Sequence, residues 1–265
     1  MKNSILITGL CLSAVLLSQP ALAEVKIRAG GGSATYELGG DYTHAKSTYN
    51  PTSIGLTLSS DTSANGAYID FAYASGTGHH NGWANANVAT SVCAGGNCNN
   101  VAAPNEPFKR SDWAVTGGVV FLNQNNGVAG NVYVGVKGGT TTLDAQHAAV
   151  TWTQETFTST GVVFGGGASF PVAGGRAGSL GVNAGLGIMG ATWKDNNPAG
   201  NYSAKANTAV GGSLGVNYTF PFTRNFGVTA DYKYQSYSYK FGTTANPFTV
   251  SEKFSTLMGI LYAKF

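Results

Sequence analysis

Hydrophobic residues recur at every second position through much of this chain. From Asn131 the order Asn-Val-Tyr-Val-Gly-Val-Lys puts Val132, Val134 and Val136 on one face and Asn131, Tyr133, Gly135 and Lys137 on the other, which is the period of an extended strand. The same alternation sets Leu214, Val216, Tyr218 and Phe220 opposite Ser213, Gly215, Asn217 and Thr219. It also sets Val228, Ala230, Tyr232 and Tyr234 opposite Thr229, Asp231, Lys233 and Gln235. The pattern predicts about ten strands, near 24–36, 51–60, 66–77, 111–123, 130–143, 156–171, 179–193, 207–221, 226–241 and 251–265, with eight or twelve if a weak segment is read differently. After residue 23 no stretch approaches the ~20 apolar residues that a membrane helix needs, so a bilayer would be crossed by strands.

A soluble sandwich and a closed transmembrane barrel share that alternation. They differ in the second face, which in a sandwich carries Lys, Glu and Asp but here is mostly Gly, Ser, Thr and Asn. The segments, about 12 to 16 residues each, also exceed the five or six of an ordinary soluble strand. Composition agrees with the membrane reading, since charged residues make up 10% of the chain against the usual ~25%. Glycine, 38 of 265 residues, is about twice its ordinary share, yet there is no Gly-X-Y period and only 8 Pro, which excludes collagen and Pro/Gly-rich disorder.

Lys2, the apolar run Ile5 to Leu17 and Ala21-Leu22-Ala23 read as a secretory signal peptide over residues 1–23. Cys11 lies inside its apolar run. Residues 24–265 then form the barrel domain, with 14 Lys+Arg against 12 Asp+Glu once Lys2 is removed from the total of 15. This balance calls for no nucleic-acid partner. Cys93 and Cys98 close a short glycine-bearing loop, and in an oxidising compartment they are expected to form a disulfide. Two thiols with no nearby His or second Cys pair would leave zinc half-coordinated, so no metal or other cofactor is expected.

Phe121, Phe170, Phe220 and Phe265 each stand just before a turn or the chain end, at spacings of 49, 50 and 45 residues. One strand pair per interval returns an aromatic to the same depth each time, as an interfacial girdle requires. The last segment, Leu257-Met258-Gly259-Ile260-Leu261-Tyr262-Ala263-Lys264-Phe265, keeps Leu257, Leu261 and Phe265 on one parity. With these features the chain resembles a Gram-negative outer-membrane β-barrel of the small porin-like class. The resemblance implies an all-β, closed antiparallel barrel in the outer membrane. It also implies lipid and lipopolysaccharide around it, and recognition of the strand ending at Phe265 by the barrel-assembly machinery.

Parity turns Lys26, Arg28, Lys137, Lys233 and Lys264 into the lumen against Asp70 and Asp231, together with many glycines. Two readings follow: a polar network that fills the core, or a narrow passage for small solutes or ions with a weak anion preference. The expected function is a non-enzymatic porin-like channel or structural barrel. A surface adhesin or recognition protein acting through a long, disulfide-stapled loop at about 77–110 is the alternative, with Tyr237 and Tyr239 beside that surface. A third possibility is a hydrolase at the rim built on His44 with Asp41, His147 with Asp144, or the pair His79-His80, although i,i+3 spacing in a strand sets Asp and His on opposite faces.

Overall fold

The computed structural model describes residues 24–40, 44–60, 65–81, 106–147, 150–197, 200–206, 208–242 and 247–265. The expected signal segment, Asp41, Cys93 and Cys98 lie outside them, as do the side chains of His44 and His147. Twelve strands form one antiparallel sheet: β1 (Glu24–Gly40), β2 (His44–Tyr49), β3 (Thr52–Ser59), β4 (Asn65–Asn81), β5 (Glu106–Leu122), β6 (Ala129–His147), β7 (Val150–Pro171), β8 (Ser179–Asn197), β9 (Gly200–Lys205), β10 (Ala209–Pro221), β11 (Phe226–Gly242) and β12 (Pro247–Lys264). β2 and β3 both pair with β1 and β4, and β9 and β10 both pair with β8. Each couple therefore shares one place, and the twelve strands occupy ten positions around a ring closed by β12 against β1, from Lys26↔Lys264 to Gly40↔Val250.

The break between β2 and β3 has a local cause. Gly32 N–H donates to Pro51 O at 3.1 Å, but proline has no N–H with which to return the bond. Register survives the gap, continuing from Ala34↔Tyr49 to Gly31↔Thr52. Short turns at the inner end are built from side chains that mimic backbone acceptors. Asn123 Oδ1 accepts from Asn125 N–H and Asn126 Oδ1 from Val128 N–H, both at 3.0 Å, and Thr223 Oγ1 accepts from Asn225 and Phe226 N–H. In the turn after β7 the left-handed stretch Ala173, Gly174 and Gly175 reverses the chain.

Along the inner two-thirds of the strands the outward parity is apolar and exposed, with Ile27, Ile54, Phe71, Val134, Phe164, Leu186, Leu214, Tyr232 and Leu257 all facing away from the barrel. An apolar exterior of this kind is the lipid-facing band of a transmembrane barrel. Nearer the outer end the pattern changes phase. On β11 the apolar residues move from Val228, Ala230, Tyr232 and Tyr234 to the opposite parity at Tyr237, Tyr239 and Phe241, which are buried. On β1 Ile27 and Ala29 give way to Ala34, Tyr36 and Leu38, and on β8 Leu186 and Ile188 give way to Met189, Ala191 and Trp193. The physical reason is the surrounding solvent: within lipid the greasy face points out, and beyond it the outside is wet, so apolar residues turn inward.

The strands run 17 to 22 residues in β1, β4, β5, β6, β7, β8 and β11, well beyond the ~9–11 needed to cross the bilayer. The long loop expected at 77–110 is correspondingly shorter. β4 continues to Asn81, β5 begins at Glu106, and His80 pairs with Glu106, so both flanks of that segment belong to the barrel wall.

Candidate functional site within the barrel

Inward glycines prove to be seats for neighbouring side chains. The Arg28 guanidinium lies across Gly55, where a Cβ would stand 2.7 Å from Nη2. The Tyr133 hydroxyl occupies the space over both Gly165 and Gly185, with a Cβ at either 2.6 Å away, and the Asn183 amide lies over Gly215. The space left by missing side chains is largely taken by long polar ones from adjacent strands.

Of the seven charges expected in the lumen, Lys26, Arg28, Asp70, Lys137, Asp231 and Lys233 line one cavity, and Lys264 lies at the inner mouth against Glu24. Arg28 Nη2 meets Asp70 Oδ1 at 2.5 Å, and Asp70 also accepts from Thr57 Oγ1 at 2.6 Å. At the inner mouth Lys264 pairs with Glu24 at 3.3 Å, and the Lys26 ammonium sits 4.4 Å over the Tyr262 ring. Lys137 donates to Gln235 Oε1 and to the Tyr237 hydroxyl at 3.2 Å, so its bonded partners are neutral. Asp231 and Lys233 line the same space from β11.

Above Lys137 the bore is filled. Side chains from all ten ring positions converge there, among them Tyr36, Tyr49, His80, Phe108, Leu143, Phe157, Trp193, Ala209, Phe241 and Val250, each no more than 4% exposed. Rings from strands several positions apart touch: Tyr36 of β1 lies 5.4 Å from Phe108 of β5, and Phe157 of β7 lies 5.1 Å from Tyr239 and 6.3 Å from Phe241 of β11. Arg110 of β5 and Glu252 of β12 join nearly opposite walls, Nη1 to Oε1 at 2.6 Å. Arg110 is further held by Asp112 through two bonds of 2.9 and 2.6 Å and by Thr141 Oγ1 at 2.6 Å, while Tyr36 and Phe254 rings flank its guanidinium. Glu252 accepts from the Tyr36 and Tyr239 hydroxyls at 3.3 and 3.1 Å. Both charges of this buried pair are thus hydrogen-bonded, which is what makes such a pair tolerable.

Below this plug the lumen is hollow. A chamber of about 670 Å³ begins at Glu24, Lys26 and Ser59 near the inner mouth and reaches Lys137 and Tyr237. A smaller cavity of about 230 Å³ beside Arg110 shares Arg28, Lys137, Asp231 and Lys233 with it and is lined also by the outward-facing Ile54, Tyr73 and Trp113.

Tyr237 and Tyr239, expected beside an outer surface, instead point inward and are buried at 4% and 0% exposure. The phase change on β11 is the sequence signal that distinguishes the two placements. Arg110 falls just outside the expected strand 111–123, whereas Asp112 and Glu252 lie inside the expected strands 111–123 and 251–265 and share its parity without a local signal that sets them apart. Continued, the alternation Phe108-Arg110-Asp112 and Phe248-Val250-Glu252-Phe254 shares the inward parity. Near the outer rim Glu155 stands directly across from Asp195; burial, and then the neighbouring Asp195 charge, push the Glu155 carboxyl up to about 8. His80 is fully buried, with Nε2 2.9 Å from the Asp144 backbone oxygen. Among the described residues no group of three or more His, Cys, Asp or Glu is arranged to hold a metal ion. Phe121, Phe170, Phe220 and Phe265 face outward at the inner end, all exposed.

Neither a protein-family model nor a curated sequence matches the chain. Among solved structures it is similar to the outer membrane protease OmpT from Escherichia coli, at 11% identity and a TM-score of 0.57 over 94% of this chain and 99% of that one. It also aligns with the translocator domain of the autotransporter NalP from Neisseria meningitidis, at 11% identity and a TM-score of 0.49, over 98% of this chain and 94% of that one. A third alignment is with the Pseudomonas putida toluene transporter TodX, at 8% identity and a TM-score of 0.38, over 95% of this chain and 92% of that one. At these identities the likeness is one of fold.

Proposed function

We propose that this chain, which has the fold of the Gram-negative outer-membrane β-barrels, is a non-enzymatic structural barrel whose lumen is closed to through-passage at its outer half. The observation that carries this reading is the plug around Arg110 and Glu252, where opposite walls are in direct contact. A ten-position barrel has an interior that side chains can nearly fill, and in the outer half buried side chains from every ring position meet. The porin-like alternative requires a path past Arg110, and the tight network around that residue counts against one. The rim-hydrolase alternative needs a reactive couple open to substrate, and His80, fully buried against the Asp144 backbone oxygen, is not placed at an accessible rim. Conductance across planar bilayers tests the reading. The folded wild-type barrel should pass no resolvable current, whereas Phe157→Ala combined with Tyr239→Ala should open steps; steady current from the wild type would refute closure.

The projecting outer end favours a second reading, as a recognition platform. β4 ends at Asn81 and β5 begins at Glu106 on a rigid, aromatic-cored wall, which suits display of a binding segment stapled through Cys93 and Cys98, both outside the described residues. On the outside of this wall, two cross-strand rows run Ser111–Thr140–Thr158–Thr192–Lys205 and Lys109–Thr142–Thr156–Lys194–Ser203 without a carboxylate. Such rows suit the phosphate-bearing saccharide region of outer-leaflet lipopolysaccharide. Export by the signal peptide over 1–23, a girdle formed by Phe121, Phe170, Phe220 and Phe265, and recognition of the final strand by the assembly machinery complete the proposal.

A further inference from the structure

Beyond the lipid-facing band, the outside of the wall from β7 to β11 is charged with one sign. Lys194 of β8, Lys205 of β9 and Lys240 of β11 are exposed there. Among the described residues the outward parity of these strands carries no Asp or Glu, since Glu155, Asp195 and Asp231 take the inward one. Elsewhere outward lysines are balanced: Lys46 and Lys253 both stand beside Glu37 across the ladders of β1. The three unbalanced lysines occupy adjacent ring positions, about 10 Å across in total.

Below them the wall is notched. The row Phe164–Leu186–Gly212–Ser236 places its small residues on β10 and β11, and the next row inward, Gly166–Ala184–Leu214–Tyr234, places them on β7 and β8. These steps between small and large side chains leave two adjoining apolar grooves of about 620 and 540 Å³, which share Ala184, Leu214 and Tyr234. Along β8 the stretch from Leu186 to Thr192, which pairs with Lys205, spans ~20 Å. At the 35–45° tilt of such strands this is a drop of about 15 Å, half of the ~30 Å hydrocarbon core. A lipid whose phosphates rest on the lysines therefore brings its acyl chains to the level of the grooves.

We infer that the outside of the β7–β11 wall is a docking site for one molecule of lipid A, the phosphorylated and acylated anchor of lipopolysaccharide, with phosphates at Lys194, Lys205 and Lys240 and an acyl chain in the grooves beside Ala184 and Gly212. The surroundings select the occupant: lipid covers this face, and lysines without carboxylates favour the lipid that carries phosphate. The inference rests on the reading of the outer wall as a surface facing lipopolysaccharide, and it depends neither on closure of the lumen nor on the segment around Cys93 and Cys98.

Native mass spectrometry of the folded mature chain in neutral detergent, titrated with lipid A, tests it. The wild type should form one saturable adduct, and dephosphorylated lipid A or phosphatidylglycerol should bind roughly tenfold or more weakly. Lys194→Gln, Lys205→Gln and Lys240→Gln combined remove the phosphate contacts and should weaken lipid A binding roughly tenfold or more. Ala184→Phe with Gly212→Leu fills the grooves while every charge is kept, and should weaken it comparably. The wall accepts the change at Gly212, where a Cβ comes no closer than 3.3 Å to its neighbours. Lys109→Gln, three ring positions from β8, should leave the affinity within about threefold, since an exposed charge at that distance is screened. Heat-modifiable gel mobility establishes that each variant is folded. Absence of a saturable adduct, phosphatidylglycerol bound as tightly as lipid A, or wild-type affinity in either the lysine or the groove variant overturns the inference. A loss with Lys109→Gln equal to that of the triple variant overturns the site alone, and leaves the broader reading of the outer wall standing.

Discussion

Replacing Glu252 by Ala is the most informative single perturbation of the plug. The carboxylate receives Arg110 Nη1 at 2.6 Å and the Tyr36 and Tyr239 hydroxyls at 3.3 and 3.1 Å, and it is 1% exposed, so water cannot readily replace it. Breaking a buried pair by removing one partner costs about 3–5 kcal/mol. Asp112 still neutralises Arg110 here, while two hydroxyls each lose a carboxylate acceptor at about 1 kcal/mol; the expected loss is therefore ~3 kcal/mol. Pairing Arg110→Met with Glu252→Leu removes both charges, fills the space with apolar groups of similar length, and should recover more than half of it. Urea unfolding of the barrel from lipid vesicles, followed by tryptophan fluorescence and gel mobility, gives both values. A Glu252→Ala variant within 1 kcal/mol of wild type would show that the pair does not hold the plug, and a double variant as weak as the single would show that packing, not charge, is at stake.

Glu155 provides a pH test. Its carboxyl, raised to about 8 in the folded barrel from the ordinary 4.5, retains a proton that the unfolded chain gives up. Its contribution is fully present below about pH 4.5 and is lost as pH rises through about 8, by up to ~1.4 kcal/mol per unit. Glu155→Gln should therefore flatten the decline of stability between pH 5 and 9, and an identical slope in both proteins would refute the assignment. On the lipid side, Leu214→Arg should cost about 2–4 kcal/mol if the residue lies near the bilayer midplane, and a smaller loss in the same unfolding assay would place the band elsewhere. Gly185→Val sets a side chain where the Tyr133 hydroxyl rests; slower folding into vesicles is expected, and Tyr133→Phe in the same chain should relieve part of it. Thiol labelling of the mature chain should show Cys93 and Cys98 blocked until reduced, and free thiols in protein prepared without reductant would exclude the disulfide.

The inner part of the barrel was readable residue by residue because its two faces meet different media. Lys26, Arg28, Asp70, Lys137, Asp231 and Lys233 line one cavity and Lys264 lies at the inner mouth, where the period of two sent them. At the outer end the same period was interrupted: Tyr237 and Tyr239 carry apolar rings on the parity that is polar lower down, and a reader following one phase takes them for surface aromatics. Arg110 and Glu252 were hidden for a different cause. They lie 142 residues apart, and no local pattern marks a carboxylate on β12 as the partner of a guanidinium on β5.

Alternation, low charge and the terminal strand by themselves determined an all-β barrel crossing the bilayer with its glycines and lysines inside, because the bilayer enforces a greasy exterior on every strand alike. Which side chains meet across that interior was set only by the tertiary structure. Contacts across the bore depend on how ten strand positions close and stagger, and closure brings Arg110 onto Glu252 and Phe157 onto Tyr239. Those are distances between walls, which no single strand encodes.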